Sequence, residues 1–327
     1  MTRASLVNQR QLLNVLSGGE FHSGQLLAEK LGLSRTAVAN HIKQLEQLGL
    51  EIFKVKGRGY RLAEPVTLLD AQKINQLRKT GCPEVLVQHI TDSTNSQLTQ
   101  KVQDGLATDP GYCLVAEAQT AGRGRRGRSW YSPFAASLYF SMYWRLEQGI
   151  QGAMGLSLVV SIAIARMLKQ HYHIDAKLKW PNDVYVEGKK LCGVLIELSG
   201  QAHAACDVII GIGINIRLPK QASVSIDQQY TDLMSVTERV IDRNRLVVQL
   251  QQQLMLLLNE FSANGFGAFV AEFNQYNLHQ SHKITLSGGV NVCGVCLGVD
   301  KQGALLVETL SGVQAYFGGE LSLRSGD

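Results

Sequence analysis

The sequence predicts an α+β protein with an N-terminal winged helix-turn-helix, a central α/β domain around a mixed sheet, and a small C-terminal β-barrel. Three helical patterns and a basic hairpin fill residues 1–65. Several apolar strands then arrive before the next long helix, which favours a mixed sheet over a doubly wound one. Short alternating strands with glycine turns occupy the C-terminal end. We therefore expect domains at 1–65, 83–273 and 274–327, joined by a linker helix at 66–82.

Composition bounds the class of protein. The chain has 327 residues, of which 45% are hydrophobic and 18% charged, so a packed core is expected. It has no run of 18 apolar residues, so we expect no membrane span. The N-terminal residues 1–10 contain no apolar stretch, so we expect no signal peptide. Six scattered cysteines fit free thiols in a reducing cytoplasm. Cys293 and Cys296 have CxxC spacing, but no second Cys or His pair completes a zinc site, so we expect a structural role.

The first part of the chain carries most of the positive charge. Residues 1–65 hold nine Lys and Arg against five Asp and Glu, and the whole chain has a net charge of +5. This asymmetry indicates an N-terminal contact with a polyanion. Helical periodicity predicts three helices, at 6–16, 23–31 and 35–48. Ser34 is the expected N-cap of the third helix, whose Val38, Ile42 and Leu45 share one face.

The second and third helices are joined by a tight turn with Gly32, which is a helix-turn-helix signature. Two short strands within 52–62 flank a basic tip, and this hairpin completes a winged helix. Residue types that reach base edges and phosphates lie off the apolar face and at the tip. They are Ser34, Arg35, Thr36, Asn40, Lys43, Lys56 and Arg58. The alternative is a winged helix for protein contacts, but the basic excess favours operator DNA, bound by a dimer that matches a palindrome.

The linker helix should begin at an N-cap on Thr67 and bury Ile74. After it, a strand at 85–90 runs into Ser93, Thr94 and Asn95 at the start of a helix. Such residues commonly cap helices. The functional alternative is that they hydrogen-bond a neutral polar ligand group, such as an amide or a urea.

An arginine-rich loop follows the strand 112–118 and Gln119. Residues 122–130 read Gly-Arg-Gly-Arg-Arg-Gly-Arg-Ser-Trp. Glycine lets the backbone approach a ligand closely, and arginine offers a fork of donors to carboxylate or phosphate. The glycines match a dinucleotide fingerprint, but Pro133 disfavours the helix that such a fingerprint must open. We therefore predict an anion-binding loop, with a solvated basic loop or a nucleic-acid patch as the alternative.

The rest of the central domain adds polar residues at strand ends. The expected strands lie at 137–144, 177–180, 184–187, 191–198 and 208–216, and the expected helices at 155–169, 242–261 and 266–276. Asn182 and Asp183 follow one strand, Lys190 stands at the mouth of another, and Gly193 lies just beyond it. The strand 208–216 has two glycines, which leave space for a flat ring, and Asn215 on the same strand is expected to hydrogen-bond that ring. Barrel strands are expected at 283–286, 290–299, 304–308 and 312–317.

Five motifs in this order resemble those of the biotin protein ligases. They are Asp92-Ser-Thr-Asn95, Gly122-Arg-Gly-Arg-Arg-Gly127, Lys179-Trp-Pro-Asn-Asp183, Lys190-Leu-Cys-Gly-Val194 and Gly211-Ile-Gly-Ile-Asn215. The winged helix in front resembles the BirA-type bifunctional ligases, which also repress a biotin operon. The resemblance spans nearly the whole chain. It implies a central domain of the biotin/lipoate ligase type and an SH3-like barrel.

The resemblance also implies the reaction and its participants. Biotin and ATP, with Mg²⁺, give biotinyl-5′-AMP, which biotinylates a lysine on the carrier protein of acetyl-CoA carboxylase. The adenylate would act as corepressor, ordering the arginine loop and completing a homodimer that binds operator DNA. Ser93, Thr94 and Gln119 would bind the biotin ureido and neighbouring groups, Asn215 would reach the adenine, and Asp183 would orient or deprotonate the lysine. Arg123 is the leading candidate for holding the adenylate.

The resemblance implies the following site residues. The catalytic ones are Lys190, Arg123 and Asp183. Biotin would contact Ser93, Thr94, Asn95, Gln119, Arg123, Gly124, Arg125, Lys190 and Gly193. ATP would contact Arg123, Arg125, Asn182, Lys190 and Asn215, and no residue is assigned as a protein ligand of a metal. Two rivals remain: a lipoate ligase with the same adenylate chemistry, and a biotin-sensing transcription factor that has lost catalysis.

Overall fold

The computed structural model describes residues 3–200, 204–219, 222–287, 292–317 and 322–325. Its helices are α1 (Arg3–Leu16), α2 (Gly24–Leu31), α3 (Arg35–Gln47), α4 (Ala71–Leu77), α5 (Thr94–Gln103), α6 (Leu156–Tyr172), α7 (Ala222–Ser225), α8 (Leu233–Thr237), α9 (Arg243–Asn264) and α10 (Val270–Tyr276). Its strands are β1 (Ile52–Val55), β2 (Gly59–Leu62), β3 (Val85–Thr91), β4 (Cys113–Gln119), β5 (Ser137–Leu146), β6 (Lys177–Lys179), β7 (Asp183–Val186), β8 (Lys189–Ser199), β9 (Cys206–Asn215), β10 (Lys283–Ser287), β11 (Val292–Val299), β12 (Leu305–Thr309), β13 (Gly312–Tyr316) and β14 (Ser322–Ser325).

The N-terminal part is a winged helix-turn-helix, as predicted. The hydroxyl of Ser34 caps α3 by accepting from the Ala37 amide at 3.1 Å. The hairpin β1–β2 is extended by a bridge in which the backbones of His22 and Tyr60 exchange two hydrogen bonds of 2.9 Å. Gly59 has φ +98°, and a Cβ there would lie 2.0 Å from the carbonyl oxygen of His22. Only glycine therefore permits this close pairing.

The central domain is a seven-stranded mixed sheet in the order β3-β4-β5-β9-β8-β7-β6. Only β3 and β4 run parallel to each other, and the other neighbouring pairs are antiparallel. The helices α6 and α9 cover one face, and α5 covers the other. The segment Ile150–Tyr172 is apolar enough to cross a membrane, but α6 lies in the protein core, with eleven buried residues. The predicted mixed sheet is confirmed.

The winged helix packs directly on the central domain. Phe134 and Ala135, which follow the arginine loop, share an apolar cluster with Val38 and Leu45 of α3. The Phe134 amide also donates to the carbonyl of Leu48 at 3.0 Å. The segment that leaves the arginine loop therefore touches the winged helix.

The linker helix is α4, but its predicted cap is wrong. Asp70, not Thr67, caps the helix, and its carboxylate accepts from the Lys73 amide at 2.9 Å. The carbonyl of Thr67 instead accepts from the guanidinium of Arg243 at 3.3 Å. Arg243 also forms a buried ion pair with Glu117 of β4, so the linker is tied to the sheet through charge.

The C-terminal part is a five-stranded antiparallel sheet in the order β13-β12-β11-β10-β14. Four of its strands were predicted, although residues 290 and 291 of the expected strand lie outside the described part of the chain. The fifth strand, β14, has no counterpart in the prediction. Cys293 is exposed and Cys296 is buried, and both thiols are free. Within the described residues no cluster of three His, Cys, Asp or Glu side chains forms.

Candidate active site

One cavity of about 240 Å³ opens at the end of the central sheet where β8 and β9 meet the arginine loop. Every predicted ligand-contact and catalytic residue of the central domain lines it. They are Ser93, Thr94, Asn95, Gln119, Arg123, Gly124, Arg125, Asn182, Asp183, Lys190, Gly193 and Asn215. The structure therefore brings together side chains that are separated by up to about a third of the chain. Their individual roles stay predictions.

Glycines on β8 and β9 let a flat ring lie against the sheet, and in this structure the ring is the indole of Trp130. A Cβ on Gly213 would lie 2.5 Å from that indole, and one on Gly193 would lie 3.0 Å from it. Gly211 has a different neighbour, because a Cβ there would lie 2.5 Å from the side-chain oxygen of Asn95. Trp130 was not predicted as a site residue, although its place at the end of the Gly-Arg run was a signal.

The start of α5 forms a buried polar corner of the cavity. Ser93 caps the helix, accepting from the amide of Ser96 at 3.5 Å, so its structural reading holds. The backbone amide and hydroxyl of Thr94 both donate to Gln119, at 2.8 and 3.1 Å. The side-chain amide of Asn95 donates to Glu197 at 2.7 Å. Ser93, Thr94 and Asn95 are almost fully buried, so their side chains are held in fixed orientations next to the cavity.

The arginine loop is a hairpin-like turn. The Gly124 amide donates to the Arg128 carbonyl at 2.7 Å, and the Trp130 amide donates to the Gly122 carbonyl at 2.8 Å. Between them lies a single 3₁₀ turn, with Arg126 at φ +58°. No helix follows, which agrees with the prediction that this is not a dinucleotide-binding turn.

Two arginines of the loop differ in depth. Arg123 is 45% exposed and pairs with the carboxylate of Glu197 at 2.9 Å, at the rim of the cavity. Arg125 is half-buried and donates to the side-chain oxygen of Asn182 at 3.1 Å. Burial lowers the pKa of Arg125, the charge of Arg126 lowers it further, and Asp183 opposes the shift. Arg125 is thus the deeper cation, although the sequence pointed first to Arg123.

Lys190 and Asp183 form an ion pair inside the cavity, with 2.9 Å between Nζ and the carboxylate. The side chains are 13% and 18% exposed, so both still reach the cavity. The ammonium also lies 5.5 Å from the centre of the Trp130 ring. Desolvation is incomplete here, and the pair can exchange partners with a charged ligand.

The Trp180–Pro181 peptide bond is cis, and Asn182 follows it. Asn182 is anchored by two hydrogen bonds with the backbone of Val194, at 2.8 and 3.0 Å. Its side-chain oxygen is then presented to Arg125 at the cavity. Asn215 is anchored differently from what we expected, because its amide donates to the backbone of Thr231 at 3.0 Å and of Lys190 at 3.5 Å. A contact between adenine and Asn215 stays a prediction.

The segment 225–230 carries no motif and forms one wall of the cavity. Five of its residues line the cavity: Ser225, Ile226, Asp227, Gln228 and Tyr230. The segment is fixed to the site because the Lys190 amide donates to the Gln229 carbonyl at 3.1 Å. The Thr231 amide then donates to the Lys190 carbonyl at 2.9 Å. No periodicity or glycine pattern marks these residues, so only the fold reveals them.

The predicted DNA-facing residues are all exposed on the winged helix. Arg35, Thr36, Asn40 and Lys43 lie on the outer side of α3, while Val38, Ile42 and Leu45 are fully buried. Lys56 and Arg58 lie at the hairpin tip. Ser34 also serves as the helix cap described above. The face is therefore basic, solvent-accessible and separate from the cavity.

A mixed sheet with a polar, cation-lined cavity, placed behind a winged helix, defines an enzyme that handles an anionic substrate and carries its own DNA-binding module. A family model described as the biotin/lipoate A/B protein ligase family matches residues 87–215. A second model, described as an HTH domain, matches residues 8–61.

The chain is also similar to named proteins and to a solved structure. The protein named "Bifunctional ligase/repressor BirA" in Salmonella typhimurium is 40% identical over 317 residues, 97% of each chain. A protein of the same name in Bacillus subtilis is 31% identical and covers 96% of this chain and 98% of its own. The solved "Biotin protein ligase from Aquifex aeolicus in complex with biotin and ATP" is 30% identical, with a TM-score of 0.64 over 74% of this chain and 99% of that one. The chain belongs to the family of bifunctional biotin protein ligase/repressors.

Proposed function

We propose that this protein activates biotin with ATP to biotinyl-5′-AMP and transfers biotin to a lysine on the carrier protein of acetyl-CoA carboxylase. It also represses a biotin operon, with biotinyl-5′-AMP as corepressor. One observation carries the enzymatic half: the arginine loop, the Lys190–Asp183 pair and the polar start of α5 line a single cavity. The exposed basic face of α3 and the hairpin supports the second half.

The first step joins two anions. A carboxylate oxygen of biotin attacks the α-phosphorus of ATP, a new P–O bond forms, and pyrophosphate leaves. Cations must already be in place, because the reacting groups repel each other. Arg125 and Lys190 lie in the cavity and supply this charge, and Arg123 adds charge at the rim. The buried corner of Thr94, Asn95 and Gln119 suits the uncharged ureido end of biotin.

The second step needs a neutral amine. The carrier lysine attacks the acyl carbon, an amide bond forms, AMP leaves and the ammonium proton is lost. Asp183 is a carboxylate that lines the cavity, and Lys190 pairs with it at 2.9 Å. This ion pair already occupies the carboxylate. We therefore assign Asp183 to orienting the incoming lysine, with proton removal only when Lys190 is engaged by the adenylate.

Mg²⁺ is expected with ATP, and the cavity fits an ion held mainly by phosphate oxygens. Mg²⁺ usually binds through substrate phosphates and one or two carboxylates rather than in an all-protein site. The side-chain oxygens of Asn182 and Asp183 are the ones that would add to its coordination. The ion would neutralise phosphate charge during the first step.

Repression requires a coupling between the cavity and DNA, and the proposal places it in a dimer. The adenylate would hold the arginine loop in place and complete a surface that a second copy recognises. A carrier protein would compete for the same surface. Sedimentation without gain of dimer in the presence of biotin and ATP would argue against this part. Such a protein acts in the cytoplasm, where its DNA and carrier partners lie.

Biotin-dependent exchange of pyrophosphate into ATP tests the ligase half, with lipoate as the control substrate. Exchange with biotin alone, lost in Lys190→Ala, supports the proposal. Exchange with lipoate would move the substrate assignment to the lipoate branch of the family. Absence of exchange from folded protein would leave a biotin-responsive repressor without catalysis.

A further inference from the structure

The wing of the DNA-binding part carries a stack of alternating arginine and aromatic side chains. The guanidinium carbon of Arg58 lies 4.2 Å from the ring centre of Phe21. Arg61 lies 5.0 Å from the same ring and 5.2 Å from the ring of Phe53. One phenylalanine thus contacts the two arginines of the hairpin. Guanidinium groups at these distances from a ring are attracted to its face.

Phe21 is held in place by backbone pairing on one side and by a helix on the other. The next residue, His22, pairs with Tyr60 of β2 through two hydrogen bonds of 2.9 Å. Ser23 then caps α2, accepting from the Leu26 amide at 3.1 Å. Phe21 therefore has a fixed position relative to both the helix-turn-helix and the hairpin.

The two arginines keep their charge for a ligand. Among the described residues neither Arg58 nor Arg61 forms an ion pair, whereas Lys54 on the neighbouring strand pairs with Glu46 at 2.7 Å. A long arginine side chain normally loses rotamer freedom when it binds a phosphate. Stacking on a fixed ring restricts that freedom in advance. The Nε of Arg61 is buried, so its terminal nitrogens are the donors that would meet a phosphate.

We propose that Phe21 is a positioning residue that presents Arg58 and Arg61 to the phosphates of duplex DNA, and that Arg61 is a further phosphate contact. The inference rests on the proposed DNA binding and deepens it. Phosphate contacts carry no sequence information, so they serve any duplex. A mixed-sequence DNA duplex is therefore a valid probe although the operator is unidentified.

The experiment measures affinity for a mixed-sequence duplex of about 40 base pairs, roughly four helical turns, across a series of salt concentrations. Biotin and ATP are present throughout. Arg58→Gln and Arg61→Gln should each weaken binding and reduce the slope of log affinity against log salt by about 0.9 per wing, because each loses one phosphate contact per wing. Phe21→Leu keeps both charges, so the slope should stay and the affinity should fall about three-fold per wing.

A double-mutant cycle separates positioning from a merely structural role. Phe21→Leu should have no further effect in the Arg58→Gln/Arg61→Gln background, because the groups that it positions are gone. Phe53→Leu is the matched control: its ring contacts Arg61 alone, so a smaller loss is expected. Arg61→Lys provides a variant with intact charge and a weaker stack, in case Phe21→Leu folds poorly. Biotin-dependent pyrophosphate exchange confirms that the central domain of each variant is folded, and far-UV circular dichroism compares the helix content of each variant with that of wild type.

Each outcome decides the question. An additive cycle, or an unchanged salt slope for Arg61→Gln, overturns the inference while leaving DNA binding intact. Wild-type protein that binds no duplex overturns the DNA-binding proposal and this inference together. Loss of slope in both arginine variants, with a non-additive cycle for Phe21, establishes the stack as part of the DNA interface.

Discussion

Two charged networks of the central domain differ in how completely they are closed. Glu117 and Arg243 pair at the linker, with side chains only 4% and 2% exposed. Two residues along the strand from Glu117, Gln119 faces the cavity, where Lys190 and Asp183 pair while still 13% and 18% exposed. In the first network the remaining hydrogen-bond partners are backbone groups. In the second they face space that a ligand can fill.

The difference separates charges that hold the architecture from charges that do chemistry. Glu117 accepts from the Leu69 amide at 2.6 Å, and Arg243 donates to the carbonyls of Thr67 and Ser137 at 3.3 and 3.1 Å. These contacts join the linker to two strands and leave only the buried Nε of Arg243 without a hydrogen-bond partner among the described residues of the pair. The open pair can be re-partnered by phosphate, because water already reaches it.

The largest expected effect is loss of stability on breaking the closed network. Arg243→Met leaves the Glu117 carboxylate buried without its partner, so the free energy of unfolding should fall by about 3–5 kcal/mol. Urea unfolding of the apo protein measures this. The double variant Glu117→Leu/Arg243→Met should recover part of the loss, because no charge then stays buried. A single variant within about 1 kcal/mol of wild type would show that the network is not closed.

The open network should respond in the opposite way, with lost activity and little lost stability. Lys190→Ala should lower biotin-dependent pyrophosphate exchange by about 10²–10³, because a cation aimed at the reacting phosphate is gone. The unfolding free energy should change by less than about 1 kcal/mol, since water can solvate Asp183. Lys189→Ala is the matched control, because Lys189 is exposed and lies one position along the same strand. Equal losses in both variants would contradict the assignment.

Local signals explain which parts of the fold could be predicted. The winged helix follows from a Ser34 cap, an apolar face on α3 and glycines at the hairpin, all within a short span of sequence. The linker cap was wrong because Thr67 and Asp70 are both good capping residues and only the structure shows which carboxylate or hydroxyl meets a free amide. The strand β14 was missed because short terminal segments carry little periodicity.

Local sequence signals also predict only part of the candidate site. Residues inside motifs, such as Asp183 and Lys190, were predicted and do share one cavity. Glu117 and Arg243 are 126 positions apart, and nothing in either neighbourhood indicates the other. The wall at 225–230 lacks any motif because it contributes backbone and mixed side chains rather than a repeated residue type. Long-range pairing of this kind is set by the topology of the sheet.

A buried neutral histidine should make the stability of the protein depend on pH. His279 lies between the central domain and the C-terminal sheet, 8% exposed. Burial lowers its pKa to about 4, with further lowering by Lys179 and His282. The unfolded chain, with a histidine pKa near ~6.5, therefore binds the proton first as the pH falls. Stability should decrease between about pH 6.5 and pH 4 for this reason.

His279→Gln isolates this contribution. The difference in unfolding free energy between pH 7 and pH 5 should be smaller in the variant than in wild type by about 1 kcal/mol, after allowance for solvent screening. His89 and His171 also have lowered pKa values, mainly through burial, so the comparison is made between proteins rather than between pH values alone. An identical pH dependence in both proteins would place His279 outside the proton linkage.

The smallest effect should come from the exposed pair at the rim of the cavity. It allows the contributions of Arg123 and Arg125 to exchange activity to be compared. Arg123→Gln removes an ion pair with Glu197 that is 45% and 33% exposed, so exchange should fall by no more than about five-fold, within the range of an exposed pair. Arg125→Gln removes the half-buried cation beside Asn182 and should cost at least about ten-fold more. Saturation curves for ATP and biotin with both variants measure the contrast. A reversed order would return the leading role to Arg123, because it would mean that the loop moves Arg123 inward and away from Glu197 when substrates bind.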